Sequence, residues 1–227
     1  MISVTDLAHL IDHTLLRADA TEEEFKQLCK EADEYGFKMV AINSFPVQMC
    51  REFLQDSPVH VGAAIGFPLG QTTINAKVVE VEDAIQNGAD EIDYVINVSK
   101  LKDGDVEYIR REMEAIVAVC RKEEILSKVI LENCYLTDVE KIAVCEIAKE
   151  VKPDFVKTST GFGPSGATVE DVALMKQIVG DQVKVKAAGG IRDLDTALKM
   201  IEAGAERLGM SAGIKVIEEY RKVEKNS

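Results

Sequence analysis

Apolar residues along the chain follow two alternating rhythms. Short runs rich in valine, isoleucine and small residues mark strands, and between them apolar positions return every three or four residues, as on a helix face. A short helix is expected near residues 5–10, leading into a strand end and loop at residues 11–16. Thr21 and Glu24 make a capping box whose helix reaches Tyr35-Gly36. Strands at residues 38–45, 59–67, 91–97 and 128–133 alternate with helices, one opened by Pro46 and running to about residue 54, the others at 75–87 and 106–124. Thr137 and Glu140 start a helix that ends before Pro153, followed by a strand at 155–163 and a helix at 169–179. A strand at 184–190, a helix at 193–203, a strand at 207–211 and a helix at 214–223 complete the series.

Eight strand-then-helix units with such apolar strands imply a parallel sheet covered by helices. In 227 residues the pattern predicts an α/β fold, a single-domain (β/α)8 TIM barrel over residues 1–227 with a short N-terminal helix; an open doubly wound sheet stands second. No GxGxxG follows the first strand, which weakens a dinucleotide-binding reading.

Composition narrows the function. A formal net charge of −13 argues against nucleic acid and anionic membrane surfaces as partners. The five cysteines are odd in number and form no CxxC, so they read as reduced thiols. With no basic segment followed by an apolar run at the start, and no apolar run near ~20 residues, a cytoplasmic location is expected. The three histidines are scattered without metal-ligand spacing, and no GxSxG elbow occurs, so neither a metal site nor a serine triad is expected.

What remains is amine chemistry. Lysine is disfavoured inside an apolar strand, and burying its ammonium costs several kcal/mol unless it is paired or loses its proton. Lys157 lies in one such strand and Lys186 in the next. If the strands are neighbours, each cation disfavours the other, which is one way to make a nucleophilic amine. The plain alternative is two strand-end lysines snorkelling to water. Asp93, between Ile92 and Tyr94, is either catalytic or the partner of a lysine. Glu132-Asn133 and Asn43-Ser44 read first as structural, and Asp12-His13-Thr14 ends the first strand. Gly161, Gly189, Gly190 and Gly213 follow the last three strands, where this barrel holds phosphates on backbone N–H groups.

The stretches Asp12-His13-Thr14-Leu15-Leu16, Gly66-Phe67-Pro68-Leu69-Gly70, Gly88-Ala89-Asp90-Glu91-Ile92-Asp93, Lys157-Thr158-Ser159-Thr160-Gly161 and Lys186-Ala187-Ala188-Gly189-Gly190-Ile191-Arg192 together resemble the deoxyribose-phosphate aldolase family. The resemblance runs in order over essentially the whole chain. It implies a metal-free, cofactor-free class I aldolase that cleaves 2-deoxy-D-ribose 5-phosphate to D-glyceraldehyde 3-phosphate and acetaldehyde, in deoxyribose phosphate catabolism. By position, Lys157 matches the family's Schiff-base lysine, and Asp93 with Lys186 its proton relay. Gly161, Gly189, Gly190, Ser211, Asp12 and Thr158 fall among substrate and phosphate positions. The partner implied is a small sugar phosphate, and a homodimer is the expected assembly.

Four features depart from the family pattern. Asn43 stands where relatives often have cysteine, and Ala188 where serine or proline is common. Gly163-Pro164-Ser165 differs from the usual small-residue turn, and Ala212 replaces a serine. Three other readings stay open at this level: a Schiff-base aldolase for another phosphorylated aldol, an isomerase or synthase barrel without an imine, and a sugar-phosphate-binding protein.

Overall fold

The strands divide their side chains between two buried faces. In the strand Glu91–Val95 every residue is buried, yet only Ile92 and Tyr94 join the apolar core, while Glu91 and Asp93 point the other way. The computed structural model, which describes residues 2–225, repeats this division around a closed barrel of eight parallel strands in sequence order. The strands are β1 (Ile11–Thr14), β2 (Met39–Asn43), β3 (His60–Ile65), β4 (Glu91–Val95), β5 (Leu126–Ile130), β6 (Phe155–Lys157), β7 (Lys184–Ala188) and β8 (Arg207–Met210). The helices are α1 (Val4–Ala8), α2 (Glu22–Tyr35), α3 (Val47–Phe53), α4 (Ile74–Gln86), α5 (Val98–Lys102), α6 (Val106–Lys122), α7 (Asp138–Val151), α8 (Val169–Val179), α9 (Leu194–Glu202) and α10 (Gly213–Lys225).

The apolar core is a shell between strands and helices. Val40 and Ile42 of β2, Val61, Ala63 and Ile65 of β3, and Val185 and Ala187 of β7 all belong to it, every second residue along each strand. The alternate positions fill the barrel with polar groups as well as Met39 and small residues. Gly62 has a packing reason: a Cβ there would lie 2.3 Å from the Met39 sulfur, which occupies the barrel interior.

Local signals place the helices. The capping boxes at Thr21/Glu24 and Thr137/Glu140 are both formed, and Gly36 closes α2 in the left-handed conformation at φ 66°. Two short elements differ from the pattern reading, α5 and a 3₁₀ turn at Asn133–Tyr135. Both are too short to show a helical period, and Asn97 starts α5 by accepting a hydrogen bond from Lys100 N. The sixth strand is also shorter than expected. Beyond Lys157 the chain leaves the regular ladder and turns towards Glu132, whose carboxylate accepts hydrogen bonds from the backbone N–H and the hydroxyl of Thr160.

Candidate active site

Register brings the strand lysines together. Lys157 of β6 lies opposite Lys186 of β7, and Asp93 of β4 opposite Lys128 of β5. All four side chains point into the barrel and are at most 4% exposed. Asp93 is the hub: its Oδ2 accepts from Lys157 Nζ at 2.8 Å and Lys186 Nζ at 2.7 Å, and its Oδ1 from Lys128 Nζ at 2.6 Å. The ion pairs then continue away from the mouth of the barrel. Lys128 also meets Glu91 at 2.5 Å, Arg207 joins Glu91 at 3.1 Å and Asp12 at 2.5 Å, and Asp12 returns to Lys186.

The charges act in opposite directions on the acids and on Lys157. Burial alone would raise the Asp93 pKa, but the Lys128, Lys157 and Lys186 cations hold it well below the carboxylate range. Lys128 is raised, since Asp93 and Glu91 outweigh the burial that opposes its charge. Lys157 is lowered to about 8, first by burial and then, against the pull of Asp93, by the nearby Lys186 and Lys128 cations. The sequence reading named both burial and the Lys186 cation; of the two, burial is the larger.

Above Lys157 a cavity of about 500 Å³ opens at the C-terminal ends of β1, β6, β7 and β8. Lys157, Gly161, Gly189, Gly190 and Ser211 line it, whereas Lys128 and Lys186 do not. Gly161, Gly189 and Gly190 have φ of 87°, 83° and 80°, a region that side chains rarely adopt. At Gly189 close approach adds to this, because a Cβ would lie 3.1 Å from the Gly166 Cα and 3.3 Å from the Gly161 Cα. Gly213 is required differently. It has no positive φ, but a Cβ there would press on Phe37 and Ile11 as α10 starts directly behind the cavity.

Two residues expected among the substrate positions lie off the cavity wall. Asp12 is fully buried and committed to Lys186 and Arg207, and it does not reach the cavity. Thr158 is also fully buried, its hydroxyl donating to Ala188 O at 3.2 Å and accepting from Ala188 N at 3.1 Å, so it clamps β6 to β7 rather than lining the site. Asn43 anchors the first loop by donating to Leu16 O at 3.1 Å, and Ala188 lines the cavity.

The sequence reading missed Lys128, Glu91 and Arg207 as parts of this network. It also missed Arg17 and Arg192, which are among the residues that line the cavity. Arg17 is held by Asp19 and Glu24, while Arg192 makes no ion pair among the described residues. The signal for Arg192 was present: a cation two residues after a double-glycine turn. Among the described residues no group of three histidine, cysteine, aspartate or glutamate side chains is arranged to hold a metal ion.

The family profile described as DeoC/LacD family aldolase matches residues 7–219, a span that contains every residue of the network and cavity named above. The chain belongs to this aldolase family. It is 59% identical over 94% of its length to the deoxyribose-phosphate aldolase of Lactobacillus acidophilus, covering 90% of that protein. Identity to the enzyme of the same name from Bacteroides thetaiotaomicron is 54%, covering 99% of this chain and 94% of the relative. Among solved structures, the deoxyribose phosphate aldolase of Aeropyrum pernix, described as a tetramer, superposes with a TM-score of 0.91 at 32% identity, over 97% of this chain and 93% of the other. In this family member Lys157 and the glycine turns thus line one cavity, and Asp93 joins Lys157 to Lys186 in the barrel interior, although these residues come from β4, β6 and β7 and the loops that follow.

Proposed function

We propose that this chain is a deoxyribose-phosphate aldolase that cleaves 2-deoxy-D-ribose 5-phosphate through an imine on Lys157. One observation carries the assignment of the nucleophile: Lys157 is the amine of the buried network that lines the cavity, and its pKa is lowered to about 8. At pH 7 about a tenth of such a lysine is the neutral amine, against well under a thousandth for an ordinary one.

The neutral Lys157 nitrogen attacks C1 of the open-chain sugar, and loss of water gives an iminium. This iminium accepts the electron pair of the C2–C3 bond. As that bond breaks, the C3 hydroxyl proton passes through a water to Asp93, and glyceraldehyde 3-phosphate departs. Lys186 and Asp93 return a proton to the enamine carbon, and water then releases acetaldehyde and the free amine. Asp93 suits this role because one of its oxygens touches both Lys157 and Lys186. The phosphate is received by backbone N–H groups at Gly161, Gly189 and Gly190 and by the Ser211 hydroxyl, with Arg192 on the rim.

Incubation with acetaldehyde and borohydride tests this reading. A reduced adduct on the peptide containing Lys157, absent from Lys157→Arg, is the expected result. An adduct at Lys128 or Lys186, or none at all, overturns it.

The same reading extends to the surroundings of the enzyme. Its partner is a small sugar phosphate, and the charge of −13 disfavours nucleic acid and anionic membranes. No helix among the described residues is long and apolar enough to cross a membrane. The five free cysteines fit a reducing, cytoplasmic setting. Residues 1–227 act as one domain, and a homodimer is the assembly we expect, which light scattering would check.

A further inference from the structure

The buried ion pairs form a closed ring in which acids and bases alternate. Asp93 meets Lys128, Lys128 meets Glu91, Glu91 meets Arg207, Arg207 meets Asp12, Asp12 meets Lys186, and Lys186 returns to Asp93. The ring therefore holds three carboxylates and three cations, each at most 5% exposed. Lys157 is outside it, attached only to Asp93. Each ring cation touches two carboxylates, whereas Lys157 has a share of one.

Surplus charge inside a barrel is costly, and it leaves by the group that holds its proton least firmly. Arginine does not release a proton. Lys128 and Lys186 would each abandon two carboxylates by doing so. Lys157 is the remaining choice. We propose that Glu91 and Arg207, which touch neither Lys157 nor the cavity, are positioning residues of this site. They complete a charge-neutral ring, and this leaves Lys157 as the surplus cation that gives up its proton. The proposal deepens the reading of Lys157 as the imine-forming amine and rests on it for its catalytic meaning.

The surroundings contain the groups that such a balance must include. Asp12 enters from β1, and from β2 the Met39 sulfur lies 3.6 Å from Lys128 Nζ and 3.7 Å from Arg207 Nη2. From β3, His60 Nδ1 lies 2.7 Å from Glu91, and its other ring nitrogen is 3.1 Å from Lys38 Nζ. Glu91 and Asp93 come from β4, Lys128 from β5, Lys157 from β6, Lys186 from β7 and Arg207 from β8. The Phe155 ring closes the lower end, with Lys128, Lys184 and Arg207 within 6.0 Å of its centroid. Glu91 is two residues along β4 from Asp93, ~7 Å of strand, so its charge acts on Lys157 through space and through Lys128.

The test reads the Lys157 titration itself, without turnover: the pH dependence of its acylation by acetic anhydride, followed by peptide mapping. Glu91→Gln adds one net positive charge, and the Lys157 midpoint should fall by about one pH unit. Arg207→Met removes one, and the midpoint should rise by a similar amount. The double variant restores the balance and should titrate as the wild type does. Opposite shifts that cancel support the ring. Shifts of the same sign, or none, overturn it, because loosened packing has no reason to change sign with charge. If a single variant fails to fold, by circular dichroism, the double variant decides: an unchanged midpoint supports the proposal and a displaced one overturns it. Borohydride trapping of the wild type runs in parallel. Its failure would sink the imine reading, whereas the acylation midpoints judge the ring.

Discussion

Lys157 Nζ lies 2.8 Å from Asp93 Oδ2, and the Lys186 ammonium approaches the same oxygen at 2.7 Å. A single carboxylate oxygen thus connects the amine that lines the cavity to one that is fully buried. Protons can move between the three groups without any of them crossing bulk water. The same arrangement separates forming an imine from breaking a carbon–carbon bond, since the first needs a neutral Lys157 and the second a proton acceptor.

Asp93→Asn tests that separation. Asp93 raises the Lys157 pKa, so its loss leaves more neutral amine, and borohydride should still trap acetaldehyde on Lys157. Cleavage of the sugar phosphate should fall by ~10²-fold or more, because the acceptor is gone. Near-normal turnover would show that the proton leaves by another route.

Much of this was legible in the chain, and the exceptions have a common cause. Local signals survive folding: the boxes at Thr21 and Thr137 cap helices, and the runs around Val61 and Val185 are strands. Lys157 and Lys186 stood out because each interrupts an apolar strand just before a glycine turn. Glu91 and Arg207 open their strands, and Lys128, central in β5, opened the strand expected from the sequence, positions where a charge normally marks a boundary with water. Only closure of the barrel makes them interior. Asp12 and Arg207 are 195 positions apart in sequence, and their contact exists because β1 pairs with β8. Lys77 and Glu112 repeat the lesson on α4 and α6. Both are fully buried and meet at 2.6 Å, on helices whose polar positions would ordinarily face solvent.

Gly189→Ala should act through the phosphate end of the substrate. The added methyl group meets the backbone of Gly166 and Gly161 and requires a left-handed alanine, so the turn must shift. KM for the phosphorylated sugar is expected to rise by roughly 10-fold or more, as one or two N–H contacts to the anion are lost. The activity towards unphosphorylated 2-deoxyribose should change much less. Equal losses on both substrates would place the effect elsewhere than the phosphate.

Lys157→Met makes a prediction about stability. A lysine whose pKa falls on folding opposes the fold wherever the unfolded chain would hold its proton, so it costs stability below pH 8 and progressively less up to about 10.5. On the linkage relation, the stability of the methionine variant relative to the wild type should be ~3 kcal/mol more favourable at pH 7 than above pH 10.5. The gain should shrink as pH rises from 8 towards 10.5. Denaturant unfolding of both proteins across this range checks it. A difference that is constant with pH would mean that Lys157 is not depressed in the folded state.

Lys186→Leu weighs burial against charge. Removing the Lys186 cation relieves one of the influences that lower Lys157, but burial, which is larger, stays in place. The midpoint of imine trapping should move upward and stop short of 10.5, the ordinary lysine value. Each unit of that rise reduces the neutral amine at pH 7 about tenfold. Raising the pH should then restore imine formation in full but turnover only in part, because in the proposed mechanism Lys186 also carries protons with Asp93. The measurement is a pair of pH profiles on the same protein, one for trapping and one for cleavage. A trapping profile that overlays the wild type would show that the Lys186 charge has no hold on Lys157. A midpoint reaching the ordinary value would show that burial contributes nothing, and complete recovery of cleavage at high pH would remove Lys186 from the proton path.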